Sequence, residues 1–171
     1  STYYTHVTTP IEAPAKKDYG DVDFLVTGPS TSLQGSPTIE ELGKALGAER
    51  SQAGSFAVPW PEDNEGTDKT CHLDEMVGDL RRFVQIDVTV CPDQPAWEWA
   101  LFHHAHGDLW NMLGSMIRRL GLTANDKGLY LRIEDIDLID RKKSFVLLTQ
   151  KPSEVIEFLG LDGRQWGKPF D

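Results

Sequence analysis

The stretch Gly20-Asp21-Val22-Asp23-Phe24-Leu25-Val26 constrains this chain more than any other. Side chains on a strand alternate between faces, so Asp21 and Asp23 project to one side. Val22, Phe24 and Val26 then project to the other, where a core can bury them. Two like charges on one face repel each other unless a cation lies between them. The pattern therefore predicts a strand with one buried face and one acidic face that attracts a cation. A divalent cation on such a face points to phosphate chemistry.

A second stretch, Phe83-Val84-Gln85-Ile86-Asp87-Val88-Thr89-Val90, carries one acid inside a β-branched run. Gln85, Asp87 and Thr89 share a face, and Ile86, Val88 and Val90 share the other. A carboxylate in an apolar strand is costly without a partner. If the two strands pair, Asp87 joins Asp21 and Asp23 in one cage of oxygens. Mg²⁺ takes octahedral oxygen ligation and keeps water and phosphate among its ligands. Three carboxylates can serve two such ions, Mg²⁺ or Mn²⁺, one at an attacking oxygen and one at a triphosphate. The plainer alternative makes Asp-x-Asp a strand-start turn with solvated charges.

A length of 171 residues is enough for one domain with a real core, with or without a small appendage. The chain opens on Ser1, as a piece of a longer protein would. No run approaches the roughly 18 apolar residues of a membrane span, and no secretory signal is visible. Cys71 and Cys91 form no disulfide framework, which fits a reducing, intracellular compartment, cytoplasmic or nuclear. A net charge of −10 argues against a broad nucleic-acid footprint. Local basic candidates remain at Lys16-Lys17, Arg81-Arg82, Arg118-Arg119 and Arg141-Lys142-Lys143, each of which reads more simply as solvated charge. His103, His104 and His106 with Cys71, His72 and Cys91 offer zinc-type donors, but their spacing fits no zinc template. No phosphate-binding loop of the Walker type and no Gly-x-Ser-x-Gly elbow is present. Trp97, Trp99 and Trp110 read as core, and Asp135, Asp137 and Asp140 as solvated acids in a late loop or strand.

Residues 1–20, with Pro10 and Pro14, read as irregular. Strands are predicted at 22–26, 56–58, 83–90, 128–133 and 144–148. Thr38-Ile39-Glu40-Glu41 is a capping box that opens a short helix ending near Gly47. Helical spacing also marks 73–82, 96–102 and 108–120, and a last helix runs from Pro152 to Gly160. Residues 62–70 are polar and without period, as in a loop. Strands and helices mixed in this order predict an α+β domain.

In order and polarity these stretches resemble the nucleotidyltransferase superfamily and, within it, the DNA polymerase beta group, the X-family polymerases. Gly20-Asp21-Val22-Asp23 is similar to that group's Gly-Asp-Val-Asp strand, and Gln85-Ile86-Asp87-Val88 to its third-carboxylate strand, usually Arg-Val-Asp-Val. His103-His104-Ala105-His106-Gly107 stands where the group has a Tyr-Phe-Thr-Gly-Ser-like turn. Asp108 and Asn111 match residues of the following helix that contact the incoming nucleotide. Gly121-Leu122-Thr123-Ala124-Asn125 and the helix ending Leu159-Gly160-Leu161 continue the likeness, which spans about residues 7–162.

The resemblance implies a palm-like α+β core over residues 1–107, with a mixed or antiparallel sheet flanked by helices. Residues 108–171 would form a small thumb-like part packed on it, or the whole would be one compact domain. It implies transfer of a nucleoside monophosphate from an NTP or dNTP to a hydroxyl acceptor, with release of pyrophosphate. Asp21 and Asp23 would bridge both ions and orient the triphosphate, and Asp87 would serve the ion that activates the attacking hydroxyl. Lys16, Lys17, Gly20, His103, His104, Asp108 and Asn111 are the nucleotide-binding candidates. A nucleic-acid acceptor is one candidate, though no broad basic surface supports it. The group's Gly-Ser phosphate turn falls on Pro10-Ile11, which offers neither a proline N–H nor a hydroxyl. Thr8, Thr9, Lys16 and Lys17 are the nearby residues able to replace it. That departure supports the alternative, a catalytically silent nucleotidyltransferase fold acting as a binding or scaffold module.

Overall fold

A computed structural model describes residues 3–13, 20–30, 35–60 and 82–168. It is a mixed α+β structure with two sheets. The first has five strands in the order β1-β2-β5-β4-β3: β1 (Tyr4–Thr8), β2 (Val22–Pro29), β3 (Arg50–Gln52), β4 (Ser55–Pro59) and β5 (Phe83–Val90). β2 and β5 run parallel, and the other neighbours pair antiparallel. The second sheet is an antiparallel meander of β6 (Leu122–Asn125), β7 (Gly128–Arg132) and β8 (Phe145–Thr149). The helices are α1 (Ile39–Leu46), α2 (Gln94–His104), α3 (Leu109–Ile117), α4 (Glu134–Asp137), α5 (Pro152–Phe158) and α6 (Gly163–Trp166).

The predicted capping box forms. The Thr38 amide donates to Glu41 Oε2 at 2.8 Å, and the Glu41 amide donates to Thr38 Oγ1 at 3.2 Å. Several elements differ from the sequence reading. Residues 4–8 form an antiparallel edge strand rather than irregular chain, because pairing with β2 satisfies a backbone whose polar side chains give no alternation signal. β3, β6 and α6 are too short to show a period. The region of Asp135 and Asp137 is one helical turn, not a loop or strand. Asp137 accepts from Ser144 Oγ at 3.0 Å and lies 3.8 Å from Arg132, while Asp140 pairs with Lys143 at 3.6 Å. These acids are held locally and do not form a second cluster. The helix predicted at 73–82, the loop at 62–70, and Cys71 and His72 fall outside the described residues, apart from Arg82.

α2 joins the two sheets. Trp97 and Leu101 pack with Ala100 against Leu25 and Cys91 beneath the first sheet. Trp99 and Phe102 enter a second cluster with Trp110, Ile117, Leu122, Leu129 and Val155. The helix is apolar on two sides because both sides are covered. Its indoles also satisfy backbone carbonyls: Trp97 Nε1 donates to Leu25 O at 2.9 Å, and Trp99 Nε1 to Asn125 O at 2.8 Å. Trp97, Trp99 and Trp110 are thus core residues, as the sequence suggested. No helix among the described residues is long and apolar enough to cross a membrane.

Trp99 is completely buried. Trp99→Ala is expected to lower stability by about 3–5 kcal/mol through the cavity it leaves. Trp99→Phe, which keeps a ring but loses the bond to Asn125, should cost about 1–2 kcal/mol. Urea unfolding of the three proteins checks this ranking.

Candidate metal centre

The two acid-bearing strands pair side by side, with Asp23 directly opposite Asp87. In a parallel pair such partners share a face, and Asp21 lies two residues away on that same face. The result is the predicted convergence. Carboxylate oxygens of Asp21, Asp23 and Asp87 lie within 4.8 Å of one another, the one such group of three among the described residues. Farther along β2 the same face carries Leu25 and Thr27, both buried. Thr27 donates to Cys91 O at 3.0 Å. The face is closed by α2 at its far end and open where the acids stand.

On the opposite face Val26 is buried and Val22 and Phe24 are half buried, as the alternation predicts. Phe24, Val26 and Val88 border an apolar cavity of about 260 Å³ beneath Leu42 and Leu46 of α1.

The electrostatics of the centre are those of crowded like charge. The Asp23 carboxyl is pushed above the usual carboxylate range, first by burial and then by Asp21, with Asp87 and Glu12 adding to the effect and His104 opposing it. Gln85 Nε2 donates to both oxygens of Asp87, at 3.2 and 3.1 Å. This neutral donor orients Asp87 without cancelling its charge. An all-oxygen, all-anionic donor set fits a hard divalent cation.

α2 delivers His104. Trp97, Leu101 and His104 follow the i, i+4, i+7 stripe of one helix face. Trp97 is anchored at Leu25, so His104 emerges about two turns later beside Asp23. His103 and His104 therefore close the C-terminal end of α2. His103 goes elsewhere: its half-buried ring stacks on Trp110 at 5.6 Å and on Trp99 at 6.3 Å. Burial, reinforced by His104, pulls its pKa below the usual imidazole value against an opposing effect of Asp126. It belongs to the aromatic cluster rather than to the acids.

The next residues turn sharply. His106 and Gly107 both adopt positive φ, at 63° and 61°. The His106 amide donates to Ile11 O at 2.7 Å, and its Nε2 lies 2.8 Å from Trp166 O. A Cβ on Gly107 would come within 2.9 Å of the Ala13 Cβ. This turn fixes the segment 11–13, which brings Glu12 into the field of Asp23. Glu12 was missed in the sequence because nothing in its neighbourhood marks it. Pro10-Ile11 is thus tied to the His106 turn through the Ile11 carbonyl. Asp108 and Asn111 open α3, with Asn111 Nδ2 donating to Asp108 Oδ1 at 2.9 Å, and both are exposed. Gly20 is exposed just before β2, with open space around the position of a Cβ. Lys16 and Lys17 lie outside the described residues. Cys91, one of the considered zinc donors, is buried as a free thiol.

Comparison with models of known protein families gives no match, and comparison with curated proteins gives none.

The raised pKa of Asp23 fixes the sign of its pH dependence. Between the ordinary value of 3.8 and the folded value, the native state binds more protons than the unfolded state. Stability without metal is therefore lost as pH rises through that window, and the loss is complete above it. Asp23→Asn should be more stable than wild type at neutral pH in EDTA. The difference should vanish at a pH below the ordinary carboxylate value. Urea unfolding of both proteins across this range checks it.

Proposed function

We propose that this chain is a divalent-cation-dependent nucleotidyltransferase with a polymerase-beta-like palm. The observation that carries the reading is the convergence of Asp21, Asp23 and Asp87 at the open end of two paired strands. The family resemblance of both acid-bearing strands supports it, as does the mixed sheet that holds them in register. On this reading residues 108–171 form the small thumb-like part.

Asp21, Asp23 and Asp87 would hold Mg²⁺ or Mn²⁺, as two ions. Bound there, the cations supply charge neutralisation at the phosphates and lower the pKa of an attacking hydroxyl. The chain's own residues do the rest. Gln85 fixes the orientation of the Asp87 carboxylate. His104 opposes part of the acidic field at Asp23. In the transfer, the acceptor oxygen bonds to the α-phosphorus of the triphosphate. The bond from that phosphorus to the bridging oxygen breaks, pyrophosphate leaves, and the hydroxyl proton passes to Asp87 and then to water. Gly20, Asp108, Asn111, Lys16 and Lys17 are the proposed nucleotide contacts.

A second reading, a silent fold used as a binding module, is favoured by one observation. Pro10 lacks the N–H, and Ile11 the hydroxyl, that the resembled phosphate turn would use at these positions.

Thermal unfolding with Mn²⁺ and each of the four NTPs separates the two. Saturating ligand at about 100 times its Kd should stabilise the wild type by about 2.7 kcal/mol. Asp87→Ala and Asp21→Asn should abolish that shift, and should reduce transfer of label from an α-labelled NTP by about a thousandfold or more. A wild type that shows no shift with any metal–nucleotide pair would leave the silent fold as the reading.

A further inference from the structure

Beside the acids the same sheet face continues onto β4 and β3. Ser55 pairs with Asp87, and Gln52 pairs with Ser55. One step along, Ala57 pairs with Gln85 and Arg50 pairs with Ala57. Arg50, Gln52, Ser55, Ala57 and Gln85 border a groove of about 740 Å³ that also reaches Gly20, Ser51, Phe56 and Phe83. The volume lies within the roughly 300–1,000 Å³ of small-molecule sites.

The lining differs from the rest of the molecule in charge. The chain carries −10 overall, yet among the described residues no carboxylate lines the groove, and the one charged side chain there is Arg50. Arg50 is exposed and makes no ion pair among the described residues. The floor at Ser55 and Ala57 is small, which leaves room over the sheet. Gln85 lines the groove and bonds both oxygens of Asp87, so the groove opens directly onto the acidic centre.

We infer that this groove is the acceptor site of the same centre and takes a small phosphate monoester that also carries a hydroxyl. The inference rests on the nucleotidyl-transfer reading above. The acceptor's phosphate pairs with the Arg50 guanidinium, whose fork of donors suits phosphate oxygens. Its hydroxyl lies toward Asp87. The backbones of Arg50 and Gln85 stand two strand spacings apart, about 10 Å, a span suited to a phosphorylated sugar rather than to a polymer. The single guanidinium that the described residues bring to the groove also fails to provide the repeated phosphate contacts that nucleic acid requires. Transfer then forms a bond from the acceptor oxygen to the α-phosphorus and releases pyrophosphate. The proton passes to Asp87 and water, and the acceptor's own phosphate is retained.

The test is calorimetric titration in EDTA with ribose 5-phosphate and with adenosine 5′-monophosphate as probes. It uses the wild type, Arg50→Gln and Asp21→Asn. At least one probe should bind the wild type, and Arg50→Gln should weaken it about tenfold or more. Asp21→Asn should leave that binding unchanged. Arg50→Gln should keep the Mn²⁺-dependent stabilisation by NTP, which also shows that it folds. Tighter binding of ribose 5-phosphate assigns the site to sugar phosphates, and tighter binding of the monophosphate assigns it to nucleotides; both support the inference. Failure of both probes to bind the wild type overturns it, as does unchanged binding by Arg50→Gln. Loss of NTP stabilisation in Arg50→Gln overturns it too, because Arg50 would then serve the donor. Probe binding by a wild type that shows no metal–NTP shift removes the acceptor role and leaves a phosphate site, so the two readings fail separately.

Discussion

The parallel pairing of β2 with β5 is the constraint on which the rest of the molecule depends. Parallel neighbours cannot be joined by a tight turn. Between β2 and β5 the sequence places α1, β3 and β4, and β4 pairs with the far side of β5 in the same sheet. The register chosen sets Asp23 opposite Asp87. A slip of one residue would turn Asp87 to the apolar side and Ile86 or Val88 to the acidic side. Burial of Val26 and of Leu25 on opposite faces of β2 makes that slip costly. The repulsive contact between carboxylates is therefore imposed by apolar packing elsewhere on the same strands.

α2 converts this local arrangement into a three-dimensional site. It seals the acid-bearing face beyond Asp23 through Trp97, Ala100 and Leu101, and it anchors the second sheet through Trp99 and Phe102. One helix thus ties residues on both sides of position 108 into a shared apolar cluster. Its end carries His104 to the acids and leads into the His106–Gly107 turn that positions residues 11–13. The aromatic packing of His103 belongs to the same design. The last turn of a helix favours positive charge, yet burial between two indoles favours the neutral ring. The exposed neighbour His104 is left to face the carboxylates.

The sequence made the strongest features legible because they are periodic. Alternation at 20–26 and 83–90 predicted both strands, their polar and apolar faces and the meeting of the three acids. The capping box predicted the start of α1, and helical spacing located α2, α3 and α5. What it left out has no local signature. β1 is a polar edge strand whose existence depends on β2. β3 spans only three residues, so it offers no period, although it supplies Arg50. The separate fates of His103 and His104 depend on which helix face meets which sheet, a tertiary fact. Glu12 reaches Asp23 through a turn near residue 106, far away in the chain.

Gln85 brings these levels together. An arginine at position 85 would both orient the acid and neutralise part of its charge. An amide does only the first. The bonds from Gln85 to both Asp87 oxygens hold the carboxylate in place while Asp21, Asp23 and Asp87 keep their full mutual repulsion. That repulsion is relieved by proton uptake at Asp23 or by a cation among the oxygens. A divalent cation would relieve it more strongly, and the neutral donor at position 85 leaves that relief to be supplied from outside the protein.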